Sequence, residues 1–292
     1  MANLKEVRNR MTSVKSTQQI TKAMKMVSAA KLRRAQQKIQ EMRPYAVKMN
    51  ELLGNVSGNI EGSVSEKYYE QRTNGKTLFV LVTADRGLCG GFNSTLFKEL
   101  RARFQGELSD AYNNNEVDIY CVGKKGRELM ERYGANVIKK HDGFFQNFGW
   151  DEANGIAAEL MELFESGDYR EVHVVYNQFK NAATYLCTVE QWLPIAGTME
   201  ESTTNTNYIF EPGKVEILDE MVPKSLKISF FKALLDSNAS EHGARMTAMD
   251  SATENAQELL RSLSIEYNKA RQATITNEIL EIVGGAEALA NG

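Results

Sequence analysis

The chain has 292 residues with a formal net charge of −3, 42% hydrophobic and 25% charged residues, the balance of a globular protein with a buried core rather than a disordered one. No stretch approaches the roughly 20 consecutive apolar residues that span a bilayer. Cys89, Cys121 and Cys187 lie too far apart for metal-ligand spacing and are odd in number, which argues against a disulfide framework and suits a reducing compartment.

The first element is predicted over residues 3–57 as one long helix. It lacks glycine until Gly54 and contains a single proline, Pro44, which is expected to bend it at a cost of about 3 kcal/mol. Its beginning has no apolar core of the kind a secretory signal needs, so none is expected. An apolar stripe runs Leu4, Val7, Met11, Val14 and turns polar at Gln18 and Thr21. A second runs Leu32, Ala35, Ile39, Met42, Ala46, Met49, Leu53, Val56 in the alternating three- and four-residue steps of a coiled-coil seam. The 18 residues from Val14 to Leu32 read as two heptads plus four, a stutter that would unwind a supercoil locally. Residues 1–50 hold twelve lysines and arginines against two glutamates, a charge of +10, which leaves −13 on the remainder of a chain whose net is −3. Such a segment faces something anionic. Only Tyr45 supplies an aromatic ring among these charges, which is poor for nucleic acid. The apolar face of Met, Val and Ala suits another helix better than a membrane surface.

The middle of the chain alternates strand and helix. Strands are predicted at 78–83, 117–122, 172–176 and 185–189, and helices at 97–104, from Gly123 to Tyr133 and at 151–166, an α/β unit with a mostly parallel sheet. DRGLCGGFN at 85–93 sits between a strand and a helix, where a phosphate loop would lie. It carries neither G-x-x-x-x-G-K-[ST] nor G-x-G-x-x-G, and a tight turn in which glycines permit positive φ explains it as well. Gly123-Lys124-Lys125-Gly126 reads as a solvated turn by the same reasoning. Cys89 is the one thiol near a helix start, where its pKa could fall. His141, His173 and His242 show no metal spacing, and no triad or zinc site is legible. Residues 197–214 are polar and aperiodic and read as a surface loop.

At the other end, Leu235, Ala239, His242, Met246, Met249, Thr253, Ala256, Leu260, Leu263, Tyr267 and Ala270 keep the four-three rhythm, then slip by one to Ile275, Ile279, Ile282 and Ala286. Gly243 is a weak point, about 1 kcal/mol worse than alanine. A helix of 50 to 60 residues is roughly 80 Å long and cannot be buried in a domain of this size. Its natural partner is the N-terminal helix, antiparallel, with residue 20 near the 260s and residue 50 near the 230s. The organisation expected is a coiled coil of 1–57 with 222–292, an α/β domain over 75–195 and a surface connection over 196–221.

STQQITKAMKMVSAAKL at 16–32, DRGLCGGFN at 85–93, and ARMTAMDSAT (244–253), YNKARQATITNE (267–278) and IVGGA (282–286) resemble, in order and spacing, the signatures of gamma subunits of bacterial F-type ATP synthases. The resemblance covers essentially the whole chain. It implies an antiparallel coiled coil of the two terminal helices plus a Rossmann-like α/β globular domain, a central rotor that couples proton flow to ATP synthesis and has no catalytic, cofactor or metal site. It implies a coil standing inside a ring of alpha and beta subunits, and a foot resting with the epsilon subunit on the c-subunit ring, peripheral to the cytoplasmic side of the bacterial inner membrane. Lys22, Met24 and Lys25 would face beta at the neck, and Arg271, Gln272, Thr276 and Glu278 would hydrogen-bond beta at the upper bearing. Tyr208 and Glu211, in YIFEP at 208–212, would contact the c ring and epsilon. The cysteine-bearing insertion of photosynthetic relatives is missing, so thiol regulation is not expected. Two readings from other classes are a nucleotide-binding enzyme and a coiled-coil adaptor for an acidic partner or nucleic acid.

Overall fold

The computed structural model describes residues 4–56, 64–195 and 213–290. In chain order these form α1 (Leu4–Val56), β1 (Lys76–Val82), α2 (Phe92–Gln105), α3 (Ser109–Asn113), β2 (Val117–Val122), α4 (Lys124–Tyr133), β3 (Val137–His141), α5 (Trp150–Glu165), β4 (Tyr169–Phe179), β5 (Tyr185–Leu193) and α6 (Lys214–Ala290). They fall into two units: the outer stretches of α1, through Val27, and of α6, from Met246, and everything between Ser28 and Arg245.

In the outer unit the helices run antiparallel. Thr21 of α1 meets Thr253 of α6 with hydroxyl oxygens 2.8 Å apart, and Lys25 reaches Asp250. Val7, Thr21, Met249, Ala256 and Leu263 are buried along the seam. The pairing places residue 20 about two helical turns short of the 260s. It also removes the stutter. Val14 and Leu32 are joined through Gln18, Thr21, Lys25 and Ser28, all of them buried or half-buried, in unbroken steps of four and three. Those seam positions are polar, and a search for apolar residues alone passes over them. On α6 the stripe is covered as far as Ala270 and Ala273, but every described side chain from Thr274 to Leu289 is exposed. The expected continuation through Ile275, Ile279, Ile282 and Ala286 is therefore not a seam among the described residues. Described α1 starts at Leu4, and antiparallel pairing brings it level with residue 270.

The larger unit is built on a five-stranded sheet ordered β3-β2-β1-β4-β5, parallel except for β5, which pairs antiparallel with β4. β1 reads Leu78-Phe79-Val80-Leu81-Val82 without alternation because both its faces are buried. Leu78, Val80 and Val82 pack with Ile156, Leu160 and Phe164 of α5 and Phe230 and Leu234 of α6. Phe79 and Leu81 pack on the other face with Leu96, Leu100 and Phe104 of α2. β3, which the sequence reading passed over, is a lysine-bearing edge strand with exposed Ile138, Lys139 and Lys140. Its character is that of a blunted sheet edge, and it carries little apolar signal. α6 starts at Lys214, so residues 214–221 are helix rather than connection. Helix runs on through both Pro44 and Pro223.

Candidate functional site

The order of the sheet reverses between β1 and β4. A parallel sheet binds its ligands in the crevice at that point, outside the carboxyl ends of the strands. Here the crevice is filled by the chain itself. Gly243 of α6 lies against the loop joining β4 and β5, so close that a Cβ would come 2.8 Å from the carbonyl oxygen of Ala182. Two residues on, the Arg245 guanidinium donates to the carbonyl oxygens of Gly87 and Arg86 and, at 2.7 Å, to Glu241. Glu241 and Arg245 are buried. Gly243 thus permits a close approach, which accounts for a residue that helix propensity alone disfavours.

The glycine turns are tied into the fold by hydrogen bonds between side chains and the backbone of neighbouring segments. Asp85 accepts from the N–H groups of Gly143 at 2.7 Å, Lys124 at 3.2 Å and Phe145 at 3.2 Å. Asn93 accepts from the N–H of Ala84 at 2.9 Å and donates to Cys89 Sγ. In the second glycine turn, Lys125 N–H bonds Ala84 O and Gly126 N–H bonds Thr83 Oγ1 at 2.8 Å. A Cβ on Gly126 would meet Thr83 Oγ1 at 2.6 Å. Both turns are strand-to-helix packing joints. Burial pushes the Cys89 thiol up despite Arg245 nearby, the opposite of an activated thiolate. His141 is hydrogen-bonded to Tyr120 at 2.6 Å, and His173 bonds Glu171 and stacks on Phe79. No cluster of metal-ligating side chains occurs among the described residues.

Most of the residues expected to meet partners lie on the surface of the two long helices. Lys22 is exposed and Met24 half-buried. Lys25, expected to face a partner, is engaged within the chain by Asp250, 2.5 Å away. Its counter-charge lies on the other helix, where a reading of α1 alone does not find it. Lys22, Arg33 and Arg34 are exposed and form no ion pair among the described residues. Arg271, Gln272, Thr276 and Glu278 are exposed on the uncovered end of α6. At 100° per residue, Arg271 and Glu278 share one face, and Gln272 and Thr276 another. The Thr276 hydroxyl donates to Gln272 O at 2.9 Å. Around them stand exposed Ile275, Ile279, Leu280, Ile282, Val283 and Leu289, the last with 87% of its surface free. Contiguous apolar exposure of this kind marks an interaction surface. Leu280 and Val283, which are off the heptad positions, were not singled out from the sequence. Tyr208 and Glu211 lie outside the described residues.

Comparison with known proteins agrees with this arrangement. A family model described as ATP synthase matches residues 3–289. The ATP synthase gamma chain of Cytophaga hutchinsonii is 52% identical, with both chains covered in full. That of Flavobacterium johnsoniae is 53% identical over 99% of each chain. Among solved structures, a chain of the Tetrahymena thermophila mitochondrial ATP synthase central stalk and c-ring superposes with a TM-score of 0.57 at 29% identity, over 80% of this chain and 99% of the other. A chain of the Euglena gracilis mitochondrial ATP synthase gives 0.67 at 21% identity, over 98% and 94%, a likeness of fold. The paired terminal helices, the closed crevice and this full-length kinship have one reading: the chain belongs to the ATP synthase gamma chain family and is a rotor-stalk subunit of that enzyme.

Proposed function

We propose that the chain transmits rotation from a proton-driven c-subunit ring to a surrounding ring of alpha and beta subunits, and that it performs no chemistry of its own. The observation that carries this reading is the uncovered end of α6, where six large apolar side chains stand exposed beyond the reach of described α1. A helix end of that composition is costly in water and favourable inside a close-fitting collar. The collar would be formed by alpha and beta, with Arg271, Gln272, Thr276 and Glu278 supplying hydrogen bonds at particular angles of rotation. Lys22 and Met24 would meet beta lower on the helix pair. Because the shaft binds the conformers of beta unequally, its angle would bias their populations.

In this reading 1–57 and 214–292 are the shaft, 75–195 the foot, and the segment between foot and shaft the connection, whose Tyr208 and Glu211 would meet epsilon and the c ring. No described helix is long and apolar enough to cross a membrane, which fits a subunit held peripherally on the cytoplasmic side of the bacterial inner membrane through its partners. The test is assembly. Changing Ile279 and Ile282 to glutamate should leave the isolated chain folded but abolish its recovery with alpha and beta from solubilised membranes. Recovery at the parental level would overturn the collar.

A further inference from the structure

Four side chains of the outer helix pair form a polar layer inside an otherwise apolar seam. We propose that Thr21, Lys25, Asp250 and Thr253 are positioning residues that fix the axial register of α1 on α6, and so set how far the uncovered end of α6 projects beyond α1. The consequence for coupling rests on the rotor-stalk reading; the register itself does not.

The layer is buried enough to be selective. Thr21 is buried, Thr253 is half-buried, and the two hydroxyls are 2.8 Å apart. Thr253 can donate to Met249 O at 2.7 Å, and either hydroxyl can donate to the other across the seam. Thr21 also lies 3.0 Å from Gln18 O, which gives its proton a second acceptor and keeps the hydroxyl satisfied as the helices breathe. Lys25 and Asp250 close the layer with a 2.5 Å ion pair.

The rest of the seam discriminates weakly. Val7, Met11 and Val14 meet a face carrying Ala256, Leu260, Leu263 and Tyr267. Such surfaces repack with little penalty if one helix slides a heptad, about 10 Å. The polar layer does not tolerate the slide. One heptad one way sets Thr21 against Leu260, and one heptad the other way against Met246, with a buried hydroxyl lacking a cross-helix partner in each case. In the first slide Lys25 would face Gln257 in place of a carboxylate. A single polar position specifying register is the best-attested use of buried polar groups in coiled coils.

The experiment labels Thr12→Cys and Ser262→Cys with spin labels in the full chain, with Cys187→Ser in the background, and measures the distance between them. Three seams are compared: the native one, an apolar one (Thr21→Val, Lys25→Met, Asp250→Leu, Thr253→Val), and a charge-swapped one (Lys25→Asp with Asp250→Lys, threonines kept). The native seam should give one distance. The apolar seam should stay helical by circular dichroism yet split into two populations, and in the assembled complex its ratio of proton pumping to ATP hydrolysis should fall about twofold or more as the projecting end loses its set height. The charge-swapped seam should return to one distance and recover the ratio. A single distance from the apolar seam overturns the register assignment whatever the coupling does. Two distances with parental coupling overturn the link from register to the projecting end and leave the rotor-stalk reading, which rests on other residues, in place. Should the apolar variant fail to fold, the charge-swapped chain decides alone: two distances there overturn the proposal.

Discussion

Asp236 and His242 lie less than two turns apart on α6 and are tuned in opposite senses. Burial raises the Asp236 carboxyl from 3.8 to about 6, against the pull of Lys232 and Arg43. Burial lowers His242 from 6.5 to about 4, aided by Lys31 and Arg245. Between pH 4 and 6 the folded chain holds a proton on Asp236 that the unfolded chain has released, so this group's contribution to stability falls as pH rises through that window. Between pH 6.5 and 4 the unfolded chain binds a proton on His242 that the folded chain refuses, so that contribution falls as pH drops. Each effect is on the order of 3 kcal/mol at its limit, and across pH 4 to 6 they offset. The parent should therefore show a nearly flat urea midpoint over that range. Asp236→Asn should raise stability at pH 8 by up to about 3 kcal/mol and expose a steep acid loss below pH 6.5. His242→Gln should do the reverse and gain stability as pH is lowered from 6 to 4. An unchanged midpoint at pH 8 for Asp236→Asn would show that the carboxylate is already compensated.

The clasp at the sheet crevice makes the same kind of claim for whole elements. Arg245→Met removes two bonds to the loop after β1 and leaves Glu241 buried without its partner, a class of change that costs about 3 to 5 kcal/mol. Arg245→Met combined with Glu241→Leu should recover most of it, since neither member is then left charged and alone. Gly243→Ala weighs two magnitudes against each other. Helix propensity favours alanine by about 1 kcal/mol, but a Cβ 2.8 Å from a backbone oxygen forces a shift that costs about 1 to 3 kcal/mol. The variant should be less stable by chemical denaturation, and a more stable one would mean that the β4–β5 loop yields freely. These elements also show how far sequence carries. Continuous apolar runs gave β1, β2 and β4, and the alternating steps gave both long helices, because burial on two faces or on one stripe leaves a periodic mark. β3 left none, being a charged edge. Residues 214–221, expected as connection, belong to α6, which runs on through Pro223. The reason for Gly243 could not be read at all: it depends on Ala182, 61 residues away in the chain.

For the molecule as a rotor, the lysines of α1 sort themselves by what they touch. Lys25 already has Asp250, so Lys25→Glu puts two carboxylates side by side and should loosen the outer helix pair, though by no more than about 1 kcal/mol because both groups are half exposed. Lys22 and Lys31 are exposed, and the seam residues do not include them. Reversing both to glutamate should leave thermal unfolding of the isolated chain within about 1 kcal/mol of the parent. If these side chains meet acidic surfaces on beta at particular angles, each reversal turns attraction into repulsion there, and the energy of the shaft changes with angle while its fold does not. Hydrolysis of ATP in the complex would then persist with weaker proton pumping. The measurement is the ratio of pumping to hydrolysis in reconstituted vesicles, read beside the melting curve. A parental ratio from the Lys22→Glu, Lys31→Glu chain would assign the excess of positive charge on α1 to solvation, and coupling would have to be carried by the projecting end of α6 and by Met24.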